Sequence, residues 1–222
     1  MDERERYKSE LLRNFEELDA ETYEFRESIM MYECAVLEVK TKLEVLNHEF
    51  KIRANRNPIK SINSRIKSVK SIFDKLYRKG YEISLDSMQK NINDVAGIRV
   101  ICSFVDDIYT VAEMLMSQDD IHVLEVEDYI KNPKPNGYRS LHIILEIPIF
   151  LSDKKKIIKV EVQIRTIAMD FWASLEHEIH YKKNNATDDV IRQLTECADV
   201  IYETDLHMQD IRKMIYETAR DD

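Results

Sequence analysis

Two segments of the chain carry ionisable side chains at spacings suited to phosphate chemistry. In Val160-Glu-Val-Gln-Ile-Arg165 the apolar Val160, Val162 and Ile164 alternate with Glu161, Gln163 and Arg165. A side-chain period of two sets an acid, an amide and a cation in a row on one face of a strand. A half-exposed strand facing water has the same alternation, but glutamate and glutamine are poor strand formers, so their use here points to purpose. In Asn93-Asp-Val-Ala-Gly-Ile-Arg-Val100, Asp94 sits at the mouth of a strand. Gly97 and Arg99 share a face of that strand, with the glycine leaving space beside the guanidinium. Together Asp94 and Glu161 supply two carboxylates able to hold Mg2+ on triphosphate oxygens.

A third segment, Lys131-Asn-Pro-Lys-Pro-Asn-Gly-Tyr-Arg-Ser-Leu-His142, concentrates one of the three glycines and two of the four prolines of the chain. It reads as a turn or as a stiffened loop that grips a ligand, the prolines reducing the entropy lost on ordering. Other patterns drop out. His177-Glu-Ile-His180 lacks one residue of the HExxH zinc spacing, and neither GxxxxGK[ST] nor GxGxxG occurs. Lys154-Lys-Lys156 reads as a charged turn between strands.

The elements that must position these residues follow from periodicity. Residues 5 to 53 read as helical, with Val36, Val39, Leu43, Leu46 and Phe50 on one face. Asn57-Pro58 breaks that pattern. A second helix is expected up to Lys79, with Gly80 ending it. Its buried stripe is Ile59, Ile62, Ile66, Val69, Phe73 and Leu76, and Lys67, Ser71 and Lys75 lie on the opposite side. Strands are expected over Val95–Ser103, near Ile121–Val126, over Ser140–Ile147 and over Ile157–Arg165, with a helix through Met116 after the first. Two helices finish the chain. In the last, Val190, Leu194, Cys197, Ile201, Thr204, Met208, Ile211 and Ile215 form a near-heptad that could pack on the chain's own core or on another subunit. The order implies an α/β (α+β) fold with a mixed sheet of about five strands and helical flanks.

A length of 222 residues fits one medium domain with extensions or two small ones. Few glycines and prolines and 34% charged residues favour long helices. The longest apolar stretch, Ile143 to Leu151, is interrupted by Glu146 and Pro148, short of a membrane span. The N-terminal Met-Asp-Glu-Arg-Glu-Arg is unlike a secretory leader, and Cys34, Cys102 and Cys197 form no CxxC pair. They read as buried thiols of a cytoplasmic protein. The net charge of −9 argues against sequence-independent DNA coating. Yet residues 51–79 hold ten Lys/Arg against one acid, Asp74. A basic element in an acidic protein suits a compact anion such as a nucleotide polyphosphate, although a solvated helix face reads the same way.

Taken in order, Arg65-x-Lys67-x3-Ser71-x3-Lys75, Asp94-Val-Ala-Gly-Ile-Arg99, Pro133-Lys-Pro-Asn-Gly-Tyr-Arg-Ser-Leu-His142, Glu161-Val-Gln-Ile-Arg-Thr166 and Ala168-Met-Asp-Phe-Trp-Ala-Ser-Leu-Glu-His177 resemble the synthetase domain of the RelA/SpoT family. The likeness is strongest to its stand-alone small alarmone synthetases. It covers residues 55 to 185, flanked by a helical extension (1–54) and a C-terminal helix (186–222) expected to serve oligomerisation. The resemblance implies a nucleotidyltransferase-like fold and a GTP pyrophosphokinase. Such an enzyme moves the β,γ-pyrophosphate of ATP to the ribose 3′-hydroxyl of GTP or GDP, with GMP a further candidate, to make (p)ppGpp in the stringent response.

The resemblance also implies residue roles. Arg65 and Arg99 sandwich adenine, planar guanidinium groups being good stacking partners. Lys67, Ser71 and Lys75 bind ATP phosphates. Asp94 and Glu161 hold Mg2+, and Glu161 takes the 3′-hydroxyl proton. Tyr138 stacks guanine, Lys134 and His142 contact acceptor phosphates, and Asn136, Arg139, Gln163 and Arg165 support them. Asp170 reads the paired N–H donors of guanine. Small members of the family form homotetramers, so a tetramer is expected. With no His-Asp dipeptide, synthesis without hydrolysis is implied. Two other readings stay open: a pyrophosphokinase acting on tRNA 3′ ends, and a non-catalytic RNA-binding or interaction module.

Overall fold

The computed structural model describes residues 23–182 and 188–218. Within them, six helices surround a five-stranded sheet. The elements run α1 (Tyr23–Ala54), β1 (Ile59–Ile66), α2 (Val69–Lys79), α3 (Leu85–Asn91), β2 (Ala96–Cys102) and α4 (Val105–Met116). They continue with β3 (His122–Asp128), β4 (Leu141–Phe150), β5 (Lys155–Thr166), α5 (Ile167–Lys182) and α6 (Asp188–Thr218). Residues 5–22 of the expected first helix lie outside the described part.

The sheet order is β1-β2-β5-β4-β3. Only β2 and β5 pair in parallel; every other neighbour is antiparallel. The sheet is therefore mixed, as its alternating strand and helix patterns imply. One face is apolar throughout its centre: Ala96, Ile98, Val100, Ile143, Leu145, Val160, Val162 and Ile164 are buried. Helices α1 and α4 cover that face, α1 contributing Val36, Val39, Leu43 and Leu46, and α4 contributing Ile108, Val111 and Leu115. Each such aliphatic side chain taken from water is worth about 1.5–3 kcal/mol. Phe50, also expected on that stripe, is only half-buried.

The segment 59–66 is a correction. Its isoleucines step by three and four, which reads as a helix, yet it forms edge strand β1 against β2. The register slips between Ile59 and Ser61. That irregularity lets Ile59, opposite Cys102, and Ile62, opposite Val100, face the same side despite their odd separation. A bulged strand thus imitates helical spacing. Serine, asparagine and β-branched residues dominate the segment, and these are weak helix formers. The helix proper starts at Val69, where the Ser68 hydroxyl accepts from the Ser71 backbone N–H. It ends at Gly80, whose φ of 70° puts it in the left-handed region that glycine tolerates. Its buried residues are Ile72, Phe73 and Leu76, so Val69 is not part of a fully buried stripe.

Of the two surfaces left open for the C-terminal heptad, the chain's own core takes little of it. Helix α6 turns Ala198, Asp205 and Gln209 inward, and leaves Val190, Cys197, Thr204, Met208, Ile211 and Ile215 exposed. The apolar seam read from the sequence is not the face that meets the core. Cys197 is accordingly exposed, Cys34 half-buried and Cys102 buried, all three as free thiols. No helix among the described residues is long and apolar enough to cross a membrane.

Candidate functional site

The sheet face opposite the core carries the polar residues in register. Arg65 lies opposite Gly97, Gly97 opposite Glu161, and Glu161 opposite Ile144, forming one row across β1, β2, β5 and β4. The next row is Asn63, Arg99, Gln163 and His142. Pairing by register puts these side chains on one surface, as the alternation in β5 requires. A cavity of about 240 Å³ opens over β1, β2 and β5, lined by Arg65, Gly97, Arg99, Glu161 and Gln163 together with Asn63, Ser64 and Ile98. Gly97 sits beside Arg65 rather than Arg99: a Cβ there would meet Arg65 Cγ at 3.6 Å, an ordinary contact. The glycine keeps the cavity floor low between two guanidinium groups set diagonally across neighbouring strands.

Beside the cavity, Asp94 precedes β2 and meets two lysines: its Oδ2 accepts from Lys67 Nζ at 2.9 Å, and its Oδ1 forms an ion pair with Lys75 Nζ at 2.8 Å. All three side chains are largely buried, with 14%, 16% and 23% exposure respectively. Lys67 lies on the connection between β1 and α2, not on the helix as expected, and its backbone N–H bonds Val95 O at 2.8 Å. That bond extends the sheet edge and brings Lys67 to the same carboxylate as Lys75. Ser71 stands in the first turn of α2, its hydroxyl 2.9 Å from that of Ser68. With no acid in that turn, the N-terminus of α2 presents hydroxyls and unsatisfied N–H groups suited to an anion. Burial pushes the Asp94 carboxyl up, but the bonds and charges of Lys75 and Lys67 outweigh it and hold it below the usual carboxylate range.

Glu161 is similarly held. Burial pushes it up, yet His142 and the Gln163 amide keep it below its ordinary value, against the repulsion of Asp94. Its Oε2 accepts from Gln163 Nε2 at 2.8 Å, and His142 Nδ1 lies 3.5 Å from Oε1. Two carboxylates held ionised, one of them beside two lysines, are hard-oxygen donors of the kind that a divalent cation such as Mg2+ takes. Among the described residues no group of three or more metal-ligating side chains occurs.

Farther along the same sheet face, beside His142 and Arg165, lies the loop between β3 and β4. Lys134 to Gly137 form a β-turn, Gly137 N donating to Lys134 O at 2.8 Å, with Pro135 at the position where its fixed φ is favoured. Gly137 has φ 89°, a conformation that excludes most side chains. Tyr138 then turns onto the sheet. Its hydroxyl accepts from Arg165 Nη2 at 2.8 Å and lies 2.9 Å from His142 Nε2. Burial raises its pKa against the pull of Arg165. Lys134 Nζ lies 5.3 Å from the Tyr138 ring centroid and 4.3 Å from that of Tyr129. Arg165 is only 2% exposed. It also donates to Gln163 Oε1 at 2.9 Å and to Asp170 Oδ1 at 3.3 Å, an oxygen that Arg99 approaches to 3.5 Å.

Fourteen of the fifteen expected side chains therefore lie along this one face or its loop. Arg139 does not: its guanidinium turns away to bond Ile130 O and Asp199 and to cover the Tyr202 ring. Asn136 stands at the margin, its amide donating to Glu176 Oε1 and its oxygen accepting from Tyr138 N. Sequence reasoning missed Ser68, Asn63, Ser64 and Tyr129. Ser68 was findable as a cap three residues before Ser71; the others reach the site only through sheet register and loop closure.

A pair of carboxylates between a cationic, helix-capped end and an aromatic, guanidinium-lined end defines a site for phosphate-bearing nucleotides on an α+β scaffold. The profile of the region found in RelA / SpoT proteins matches residues 64–186. GTP pyrophosphokinase YwaC of Bacillus subtilis is 45% identical over 196 residues, which cover 86% of this chain and 92% of that protein. The crystal structure of small alarmone synthetase 2 from B. subtilis superposes with a TM-score of 0.78 at 42% identity, covering 86% of this chain and 98% of that one. Small alarmone synthetase 1 from B. subtilis, bound to its product pppGpp, gives 0.80 at 35% identity, over 87% and 99%. The chain belongs to the RelA/SpoT family.

Proposed function

We propose that the chain is a GTP pyrophosphokinase of the small alarmone synthetase type, the reading covering synthesis alone. Its relatives bear that activity as their name, and a structural neighbour holds pppGpp. The 3′-oxygen of GTP or GDP attacks the β-phosphorus of ATP, the bond from that phosphorus to the α,β-bridging oxygen breaks, and AMP leaves. The 3′-hydroxyl proton goes to Glu161, whose depressed pKa keeps it ionised and ready to accept.

The observation that carries this reading is the placement of Asp94 and Glu161 between two chemically different ends of one sheet face. On the ATP side, Arg65 and Arg99 flank the cavity where adenine lies flat over Gly97, and Lys67, Lys75 and the Ser71 hydroxyl take the phosphates. On the acceptor side, guanine stacks on Tyr138, an interaction worth about 1–3 kcal/mol. Lys134 and His142 contact its phosphates, and Asn136, Gln163 and Arg165 hold that side in place. Asp170 accepts from the two guanine donors, a pattern adenine lacks. Mg2+ held by Asp94 and Glu161 would neutralise charge around the transferred phosphorus.

Lys67 and Lys75 must leave Asp94 for phosphate when nucleotide and metal arrive. The exposed apolar residues of α6, among them Met208, Ile211 and Ile215, suit self-association of the kind expected for a tetramer, which light scattering measures. For the activity, the protein is incubated with Mg2+, γ-labelled ATP and GTP, GDP, GMP or tRNA. Label on a guanine nucleotide, abolished by Glu161→Gln, is expected; label on tRNA alone overturns the reading.

A further inference from the structure

The C-terminal helix α6 begins beyond the region matched by the family profile, yet it is the surface on which the acceptor loop rests. Gly137 packs directly on it: a Cβ at this position would fall 2.6 Å from Ala198 Cβ and 3.2 Å from Thr195 Cα. Gly137 thus has two independent reasons to be glycine, its left-handed backbone and the helix against it. Arg139, the one expected site residue that faces away, fastens the next residues of the loop to the same helix. Its Nη2 donates to Asp199 Oδ1 at 2.9 Å, its guanidinium lies 4.1 Å from the Tyr202 ring centroid, and its Nη1 returns to Ile130 O at 2.9 Å. Tyr138 lies between these two anchored residues, its ring committed to the opposite side.

The helix is itself held at this height by the base of the site. Trp172 Nε1 of α5 donates to Leu194 O at 3.0 Å. The buried Asp205 accepts from the Thr166 hydroxyl, which in turn caps the start of α5 by accepting from Met169 N at 3.1 Å. The same turn of α5 carries Asp170. One face of α6, from Leu194 to Asp205, therefore supports both Tyr138 and Asp170, the two groups given to guanine.

We infer that α6 is a positioning element of the acceptor site: Ala198, Asp199 and Tyr202 seat the 131–140 loop and thereby set affinity for the guanine nucleotide, independently of ATP. This rests on the functional reading above for its kinetic arm alone. A helix whose only task is association has no reason to present its one buried alanine to Gly137 and an anion to Arg139.

The test uses Ala198→Leu, which keeps helix propensity but drives a side chain into Gly137, and Asp199→Ala. In Ala198→Leu the KM for GTP or GDP should rise about tenfold or more, with the KM for ATP and kcat at saturating acceptor changed less than about twofold. Asp199 is 56% exposed, so its removal should raise the acceptor KM by only about two- to fivefold, and Asp199→Asn, which keeps an acceptor oxygen, should restore it. Lys213→Ala, on the outer part of the same helix, serves as control. Equal rises in both KM values, or none, in a variant with unchanged melting temperature and mass overturn the proposal. If Ala198→Leu fails to fold, Tyr202→Leu takes its place. Hydrogen exchange at Gly137 and Tyr138 amides, faster in Asp199→Ala than in the parent protein, needs no activity. It therefore separates failure of the helix assignment from failure of the pyrophosphokinase reading: unchanged exchange sinks the former, absence of transfer in the parent protein the latter.

Discussion

Asp94→Asn offers a test with opposite signs in the presence and absence of metal. In the nucleotide-free chain both carboxylate oxygens of Asp94 are engaged, by Lys67 at 2.9 Å and Lys75 at 2.8 Å. ATP alone must therefore displace Asp94 from the two lysines before they reach its phosphates. The group is neither at the surface, where such pairs are worth less than about 1 kcal/mol, nor wholly enclosed, where breaking one costs about 3–5 kcal/mol. With exposures of 14–23%, an intermediate of about 1–2 kcal/mol for the pair of contacts is appropriate, a factor of about 5–30 in affinity. In EDTA, calorimetric titration should show ATP binding to Asp94→Asn tighter by that factor. With Mg2+ present the order reverses, because one of the two carboxylates proposed to hold the metal is gone, and turnover should fall by about two orders of magnitude or more. The variant should also melt lower, two lysines being left close together. Metal-free ATP binding that is unchanged or weaker in Asp94→Asn would refute the idea that Lys67 and Lys75 change partners, and with it their assignment to ATP phosphates.

Because Glu161 is held below its ordinary value, it stays ionised as the pH falls through about 4.3, where a free glutamate protonates. Its contribution to stability is present above that pH and lost only below. The acid limb of kcat/KM should show no break between about pH 5 and 7 that shifts in Glu161→Asp; such a break would contradict the hold that His142 and Gln163 have on this carboxylate. Asp205 behaves in the opposite sense. Burial raises its pKa despite the Thr166 hydroxyl, so the folded state loses stability as the pH rises through the folded pKa. Asp205→Asn, which can still accept from Thr166, should melt higher than the parent at pH 7 and lose that advantage toward pH 4; a lower melting temperature at both pH values would show that the charge itself is needed. Gly97→Ala should leave the melting temperature unchanged, since its Cβ meets Arg65 Cγ at 3.6 Å, but raise the KM for ATP several-fold by filling the cavity floor. An unchanged KM would place adenine elsewhere.

The strand face was legible because its alternation needs no knowledge of distant residues. Val160, Val162 and Ile164 pack into the core while Glu161 and Gln163 face the cavity on the other side, as a period of two demands. The failure at residues 59–66 has the converse cause. A bulge between Ile59 and Ser61 moves the parity by one, and single-segment periodicity cannot separate that from a helical step. The heptad in α6 left its partner open for a related reason. An apolar stripe states that something covers it, not what, and the inward face of this helix is chosen by small and polar residues, Ala198, Asp205 and Gln209, whose partners are the loop, Thr166 and the backbone N–H of Asp106.

That difference explains which site residues local spacing could assign to a role and which it could not. Glu161 announces itself by its place on a strand and Asp94 by its place at the mouth of one, and the lysines by a local excess of charge. Arg139 stands beside Tyr138 in the chain and shares its motif, so proximity in sequence assigned it to the same ligand. Adjacent residues in an extended backbone point to opposite sides, however, and the side opposite Tyr138 is occupied by a helix some sixty residues onward, where Asp199 lies 60 positions from Arg139. The motif therefore presents two surfaces at once: one toward the polar sheet face, through Tyr138 and His142, and one toward α6, through Gly137 and Arg139. A mutation at Arg139 should accordingly act on the acceptor through the seating of the loop. Charge-preserving Arg139→Lys, which loses the planar group over Tyr202 and the forked bonds to Ile130 and Asp199, should then raise the acceptor KM nearly as much as Arg139→Ala. Direct phosphate contact would instead be largely kept by lysine, so a lysine variant with parental acceptor KM would return Arg139 to the ligand.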